Sequence, residues 1–172
     1  MGDQSVVLAV ASYATRAAAE RDLDCLWSSE SLSRSDYLSG ALVEKGTSGE
    51  LEIDCHRSRP DDRAWGLALL GGALTALAAP VGVTYLASGF SSREEWAGAA
   101  AVVGRFWNHI PRDKLRSMSN LLEAGQVGLV VVAVAPDSDD VTACLSGDSS
   151  RVLSESILVD PVADFRRAAG QT

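Results

Sequence analysis

The sequence predicts an α+β domain built on one sheet, interrupted by an apolar insertion and followed by a strand and a helix. Three observations predict it. Short Val-rich runs, Ser5–Ala11 and Val127–Ala135, read as strands apolar on both faces. Segments of helical spacing follow the first run and precede the second. Between these halves, Ala64–Ser92 carries no charged residue at all. A helix that is apolar all round needs cover from protein or lipid.

Taken in order, Ser5–Ala11 is the first strand. Ala14–Trp27 is a helix with Ala19, Leu23, Leu26 and Trp27 on one face and Arg16, Glu20, Arg21 and Asp24 opposite. Ser28–Ser35 is a polar connection. Tyr37–Glu44 is a weak strand with Gly40 inside it. Lys45–Gly49 has turn chemistry, and Glu50–Arg57 alternates as the second arm of a hairpin. Pro60, Asp61 and Asp62 stop that strand and precede the insertion. Pro111 suits a helix's first turn. Leu115, Met118, Leu121 and Leu122 form that helix's apolar face, and Gly125 ends it. Val127–Ala135 is the strongest strand signal. The order βαββαβ is the ferredoxin-like pattern. Its core is discontinuous, residues 1–60 and 110–136, with an apolar helical hairpin inserted over 61–109. In such a fold the last strand lies at a sheet edge, so its two apolar faces call for a second copy or the tail as cover. The tail, 137–172, reads as an extension packed on the core: a short helix over Asp137–Leu145, a strand over Arg151–Val159, and a last helix begun by Asp160–Pro161 and carrying Val162, Phe165 and Ala168.

Within the insertion, Ala64, Ala68, Gly72, Ala76 and Pro80 recur every fourth residue, and Ala100 and Gly104 repeat the spacing. At helical pitch they form a stripe without bulk, which lets another helix approach closely. Pro80 divides the run. A single membrane crossing would place the two halves of the core on opposite sides, so a hairpin that returns to its own side is expected. Trp65, Trp96 and Trp107 bracket the insertion as anchors of a membrane interface or of a protein–protein rim.

Composition narrows the function classes. A net charge of −8 disfavours nucleic acid and anionic lipid as non-specific partners. Cys25, Cys55 and Cys144 are odd in number and far apart, which fits a reducing compartment better than a disulfide framework. No basic n-region with an apolar core opens the chain, so no signal peptide is expected. No catalytic constellation is present, and neither an enzyme nor a cofactor is expected. Cys55 and His56 are strand neighbours that point to opposite faces, so no metal site is expected. Glu52, Asp54 and His56 share a strand face and are a weak candidate for a polar groove with an acid–base pair; a solvated sheet face is the plainer reading. Ser146–Ser150 lacks the strand–turn–helix context of a nucleophile elbow. Gly71–Gly72 lacks the spacing of a phosphate cradle.

Three stretches carry a resemblance: VVLAVASYATRAAAERDL, WGLALLGGALTALAAPVGV and IPRDKLRSMSNLLEAGQVGLVVVAV. Together they resemble a widespread uncharacterised bacterial family of conserved membrane proteins of unknown function, with a ferredoxin-like core and a glycine-zipper-like hydrophobic insertion. The resemblance touches the core from about Ser5 to Ala135 and implies a stress-associated or membrane-proximal role. It implies no enzyme. The charged break at Arg93–Glu95 departs from it. The expectation is a non-enzymatic homo-oligomer, a dimer or higher, assembling through the hairpin. Its expected location is the cytoplasmic side of the bacterial plasma membrane or the cytoplasm as a soluble oligomer. The alternative expectation is a small-molecule sensor of ferredoxin-like dimer type, and a third is an enzyme of the dimeric α/β-barrel type, against which the two histidines' lack of any constellation counts.

Overall fold

A computed structural model describes residues 4–34, 37–45, 51–59, 73, 85–87, 110–124, 127–134, 138–147, 149 and 151–159. The described elements are β1 (Gln4–Tyr13), α1 (Arg16–Ser28), a 3-10 turn (Leu32–Arg34), β2 (Tyr37–Lys45), β3 (Leu51–Arg59), β4 (Tyr85–Ala87), α2 (Arg112–Ala124), β5 (Val127–Val134), α3 (Ser138–Leu145) and β6 (Arg151–Val159). The fold is mixed α+β, with helices on a single open sheet whose order is β4-β3-β2-β5-β1-β6. Four of its pairings are antiparallel. The short β3–β4 contact is parallel.

Thr15 starts α1 by accepting the Ala18 amide at its side-chain oxygen, 3.3 Å away. Ala18, Ala19, Leu23 and Leu26 are buried, while Arg16, Glu20, Arg21 and Asp24 are exposed, as the helical spacing predicts. Gly40 has a packing reason. A Cβ there would sit 2.9 Å from Leu23 Cδ1 and 3.5 Å from Trp27 Cζ3, so its lack of a side chain is what lets α1 settle on β2.

The order of elements along the chain is the expected one, but the lateral order is not. β1 and β2 are both antiparallel to β5, which lies between them. They therefore form a split β-α-β unit with the last core strand at its centre. The expectation that Val127–Ala135 lies at an edge is corrected. All eight β5 residues are buried, and so is every residue from Val6 to Tyr13. Each buried Val or Leu side chain contributes about 1.5–3 kcal/mol, which favours the interior for the two most apolar strands. The positions flanking β2, β5 and β1 go to β3, with the short β4 outside it, and to β6; β3 and β6 carry most of the sheet's charge. The cover that β5 needs is supplied within one chain, with β6 adding to β1 from the tail.

One sheet face, with Ala9, Ala11, Leu38, Leu42, Leu129 and Val131, packs against α1 and α3 in a single core cluster. On the opposite face Val6, Leu8, Val10, Ala41, Val130 and Val132 are buried, and α2 lies against β1, β2, β5 and β6. Leu115, Met118 and Leu121 are the buried side of α2, as expected. The tail helix and strand also form as expected, over Ser138–Leu145 and Arg151–Val159. The segment from 160 onward lies outside the described residues.

Of the insertion, only Ala73 and Tyr85–Ala87 are described. Ala73 is helical and fully buried. Tyr85–Ala87 is a strand beside β3 rather than part of a helix, which corrects a wholly helical hairpin at those residues. The physical reason is twofold. The outer edge of β3 offers unpaired amides and carbonyls, and the Val83–Thr84–Tyr85 sequence favours extended backbone.

Candidate functional site

The residues singled out in the sequence divide into two sets. Ala64, Trp65, Ala68, Gly72, Ala76, Pro80, Trp96, Ala100, Gly104 and Trp107 lie outside the described residues. Glu52, Asp54 and His56 fall on β3, whose pairing with β2 is irregular. Glu52 pairs with Glu44, Ile53 with Val43, Cys55 with Leu42 and His56 with Ala41, so the register shifts by one residue at Asp54. A bulge of this kind resets the two-residue alternation. The side chains of Glu52, Asp54 and His56, and with them the polar face expected of these residues, lie outside what the structure describes.

A different set of side chains converges under α1 and α3. Cys25 Sγ and Cys144 Sγ lie 2.7 Å apart in hydrogen-bond contact, although 119 residues separate them. Both are free thiols; Cys25 is exposed and Cys144 half-buried. One turn earlier on α1, Asp22 is only 3% exposed. The Tyr13 hydroxyl donates to Asp22 Oδ2 at 2.8 Å, which satisfies two buried polar groups together. Gly147 closes the site from the end of α3. A Cβ at this glycine would lie 3.0 Å from Asp22 Oδ1 and 3.6 Å from the Cys144 carbonyl oxygen.

The electrostatics of the pair are uneven. Burial pushes the Cys144 thiol up from the usual 9.0 to about 12, with the hydrogen bond and charge of Cys25 and the charges of Asp22 and Asp140 adding to it. At neutral pH Cys144 is therefore held as the thiol. Chemically, the cluster offers two sulfurs within reach of one another, one open to solvent and one behind it, beside a buried Tyr–Asp pair.

Sequence reasoning missed this cluster. It treated the cysteines singly and left Asp22 without a role. One local signal existed: Ala18, Asp22 and Leu26 are spaced by four, so Asp22 sits on the apolar stripe of α1. Among the described residues, no group of three or more His, Cys, Asp or Glu side chains is placed to hold a metal ion. Among the described residues, no helix is long and apolar enough to cross a membrane.

Comparison with known proteins adds no relative: no protein-family model, curated protein or solved structure matches the chain.

Proposed function

We propose that the protein is a non-enzymatic homo-oligomeric scaffold that assembles through the small-residue stripe of its apolar insertion, at a membrane or in solution. The observation that supports this reading is where the insertion joins the sheet. Arg59, the last residue of β3, is level with Leu38, Ala133 and Val7 across the ladder. Past the insertion, Lys114 in the first turn of α2 reaches Glu155 at 2.6 Å, and Glu155 is level with Leu8. The last residue of β3 and the first turn of α2 thus both lie toward the Val7–Leu8 rows of the sheet, and between them the chain touches the sheet again at Tyr85–Ala87, beside Leu51–Ile53. An excursion whose two ends lie toward the same rows, and whose Tyr85–Ala87 segment meets β3 on the way, fits an insertion that stays on its own side of the domain. It does not fit a single crossing that would part β3 from α2.

The uncharged stretch Ala64–Ser92 and the stripe of Ala64, Ala68, Gly72 and Ala76 supply the adhesive surface in this reading. The membrane-proximal, stress-associated role implied by the family resemblance is compatible with it. The sensor alternative rests on the Glu52, Asp54 and His56 face.

The test is detergent-free fractionation followed by light-scattering mass on wild type and Gly72→Leu. Wild type is expected either to pellet with membranes and resist a high-pH wash or to run as a defined soluble oligomer. Gly72→Leu is expected to reduce that mass or membrane retention while the far-UV spectrum stays nearly unchanged. A soluble wild-type monomer would end the scaffold reading, and an unaltered Gly72→Leu assembly would end the role of the stripe.

A further inference from the structure

We propose that Cys25 and Cys144 are a reversible dithiol–disulfide pair that exchanges with small-molecule disulfides and, when oxidised, clamps the C-terminal α3–β6 extension to α1. This goes beyond the scaffold reading and does not depend on it. The pair joins two helices that are already packed together, through Leu23 and Leu26 of α1 and Val141 and Leu145 of α3. From a separation of 2.7 Å, a bond of about 2.05 Å needs a movement of less than about 1 Å. Exposure assigns the order of events. A small disulfide reaches Cys25 directly, whereas Cys144 stands half-buried behind it. The raised Cys144 thiol also resists early deprotonation, so Cys144 is not the first nucleophile. Packing alone does not explain Cys25, because an exposed sulfur contributes little to a core.

The steps balance. Cys25, as the thiolate, attacks one sulfur of RSSR. The S–S bond breaks, RS− leaves and takes up a proton, and Cys25 carries a mixed disulfide. Cys144 then loses its proton to solvent and attacks Cys25 Sγ. The Cys25–SR bond breaks and a second RS− leaves, again taking up a proton. Two electrons pass from the protein to the small disulfide, giving two RSH. An excess of RSH reverses both steps. A pair of this kind suits a reducing compartment, where protein disulfides are transient.

The experiment uses the full chain with Cys55→Ser, so that the only thiols are the pair. It is equilibrated in buffers of oxidised and reduced glutathione, acid-quenched, alkylated and weighed intact. The expected product is lighter by two hydrogens and yields a peptide linking Cys25 to Cys144, and reduced glutathione restores both thiols. Cys144→Ser is expected to stop at glutathione on Cys25. Cys25→Ser is expected to slow the first exchange at least about tenfold at neutral pH. Two thiols still open to alkylation in excess oxidised glutathione would overturn the proposal. So would disulfides formed only between chains, or equal exchange rates for the two single variants.

Discussion

Tyr13→Phe isolates the polar pair that anchors the thiol cluster. Tyr13 is 1% exposed, and its ring stands in the core beside α1. Phenylalanine fills the same space, so no cavity term enters. What disappears is the hydroxyl that donates to Asp22 at 2.8 Å. A hydrogen bond to a charged group is worth about 1.5–3 kcal/mol, and removing one partner inside the protein exposes the remaining group's desolvation cost. Asp22 has a further partner, which places the expected loss near the lower end, about 1.5–2 kcal/mol. For a chain of this size that corresponds to a fall in Tm of roughly 3–8 °C. The assay is urea unfolding of the reduced protein for wild type, Tyr13→Phe, Asp22→Asn and the double variant. A coupling energy of about 1 kcal/mol or more between the two sites is expected. A Tyr13→Phe variant within about 0.5 kcal/mol of wild type would refute the claim that this bond carries stability.

Two other perturbations follow from the same geometry. Because the folded Cys144 pKa is raised above its unfolded value, the folded state holds its proton more tightly, and stability is fully present below about pH 9 and lost as pH rises toward 12. Reduced protein is therefore expected to show a falling urea midpoint above pH 9. The oxidised form, with no thiol at that position, is expected to show a flatter profile and, for a closure spanning 119 residues, up to about 5 kcal/mol more stability on the loop-entropy model. Parallel profiles for the two forms would contradict both assignments. Gly40→Val sets the added strand propensity against the 2.9 Å approach of Leu23, which is itself 1% exposed and confined. Overpacking costs of about 1–3 kcal/mol outweigh a gain of roughly 0.5–1, so a lower urea midpoint is expected, and a higher one would mean that α1 moves away from β2 without penalty.

What was legible in the sequence follows the range of each interaction. Helices and strands of the core and tail rest on local periodicity, and their positions were readable to within about two residues, the tail strand Arg151–Val159 included, whereas the strand Tyr85–Ala87 was not. The lateral order of strands rests on contacts far apart in sequence. The apolar character of Val127–Val134 did signal the answer. A strand apolar on both faces belongs in the middle of a sheet, but the ferredoxin-like pattern drew it to an edge. The bulge at Asp54 was not readable, because the alternation of Leu51, Ile53 and Cys55 stays perfect in sequence while the partner strand slips by one. The thiol pair was hidden by distance along the chain. Only the folding of α3 back over α1 makes neighbours of Cys25 and Cys144.

The thiol pair and the insertion occupy different places on one sheet, and this decides how the two proposals stand toward each other. The cluster is tied to Tyr13, which is level with Val127 at one end of β1. The insertion departs from Arg59, level with Val7, and its Tyr85–Ala87 strand meets the sheet again beside Leu51–Ile53, with three strands between it and β1. Six residues of extended strand, about 20 Å, separate the row of Arg59 from that of Tyr13. Between them lies the most deeply buried part of the molecule, Leu8 to Ala11 paired to Leu129–Val132, which does not deform cheaply. A bond that draws two sulfurs less than about 1 Å closer at the Tyr13 end has no bistable element through which to act at the other. In the two proposals oxidation is a local clamp on the C-terminal extension, and the insertion meets the sheet at Tyr85–Ala87 with β3, β2 and β5 between it and β1. The exchange assay and the Gly72→Leu assay therefore fail or succeed independently.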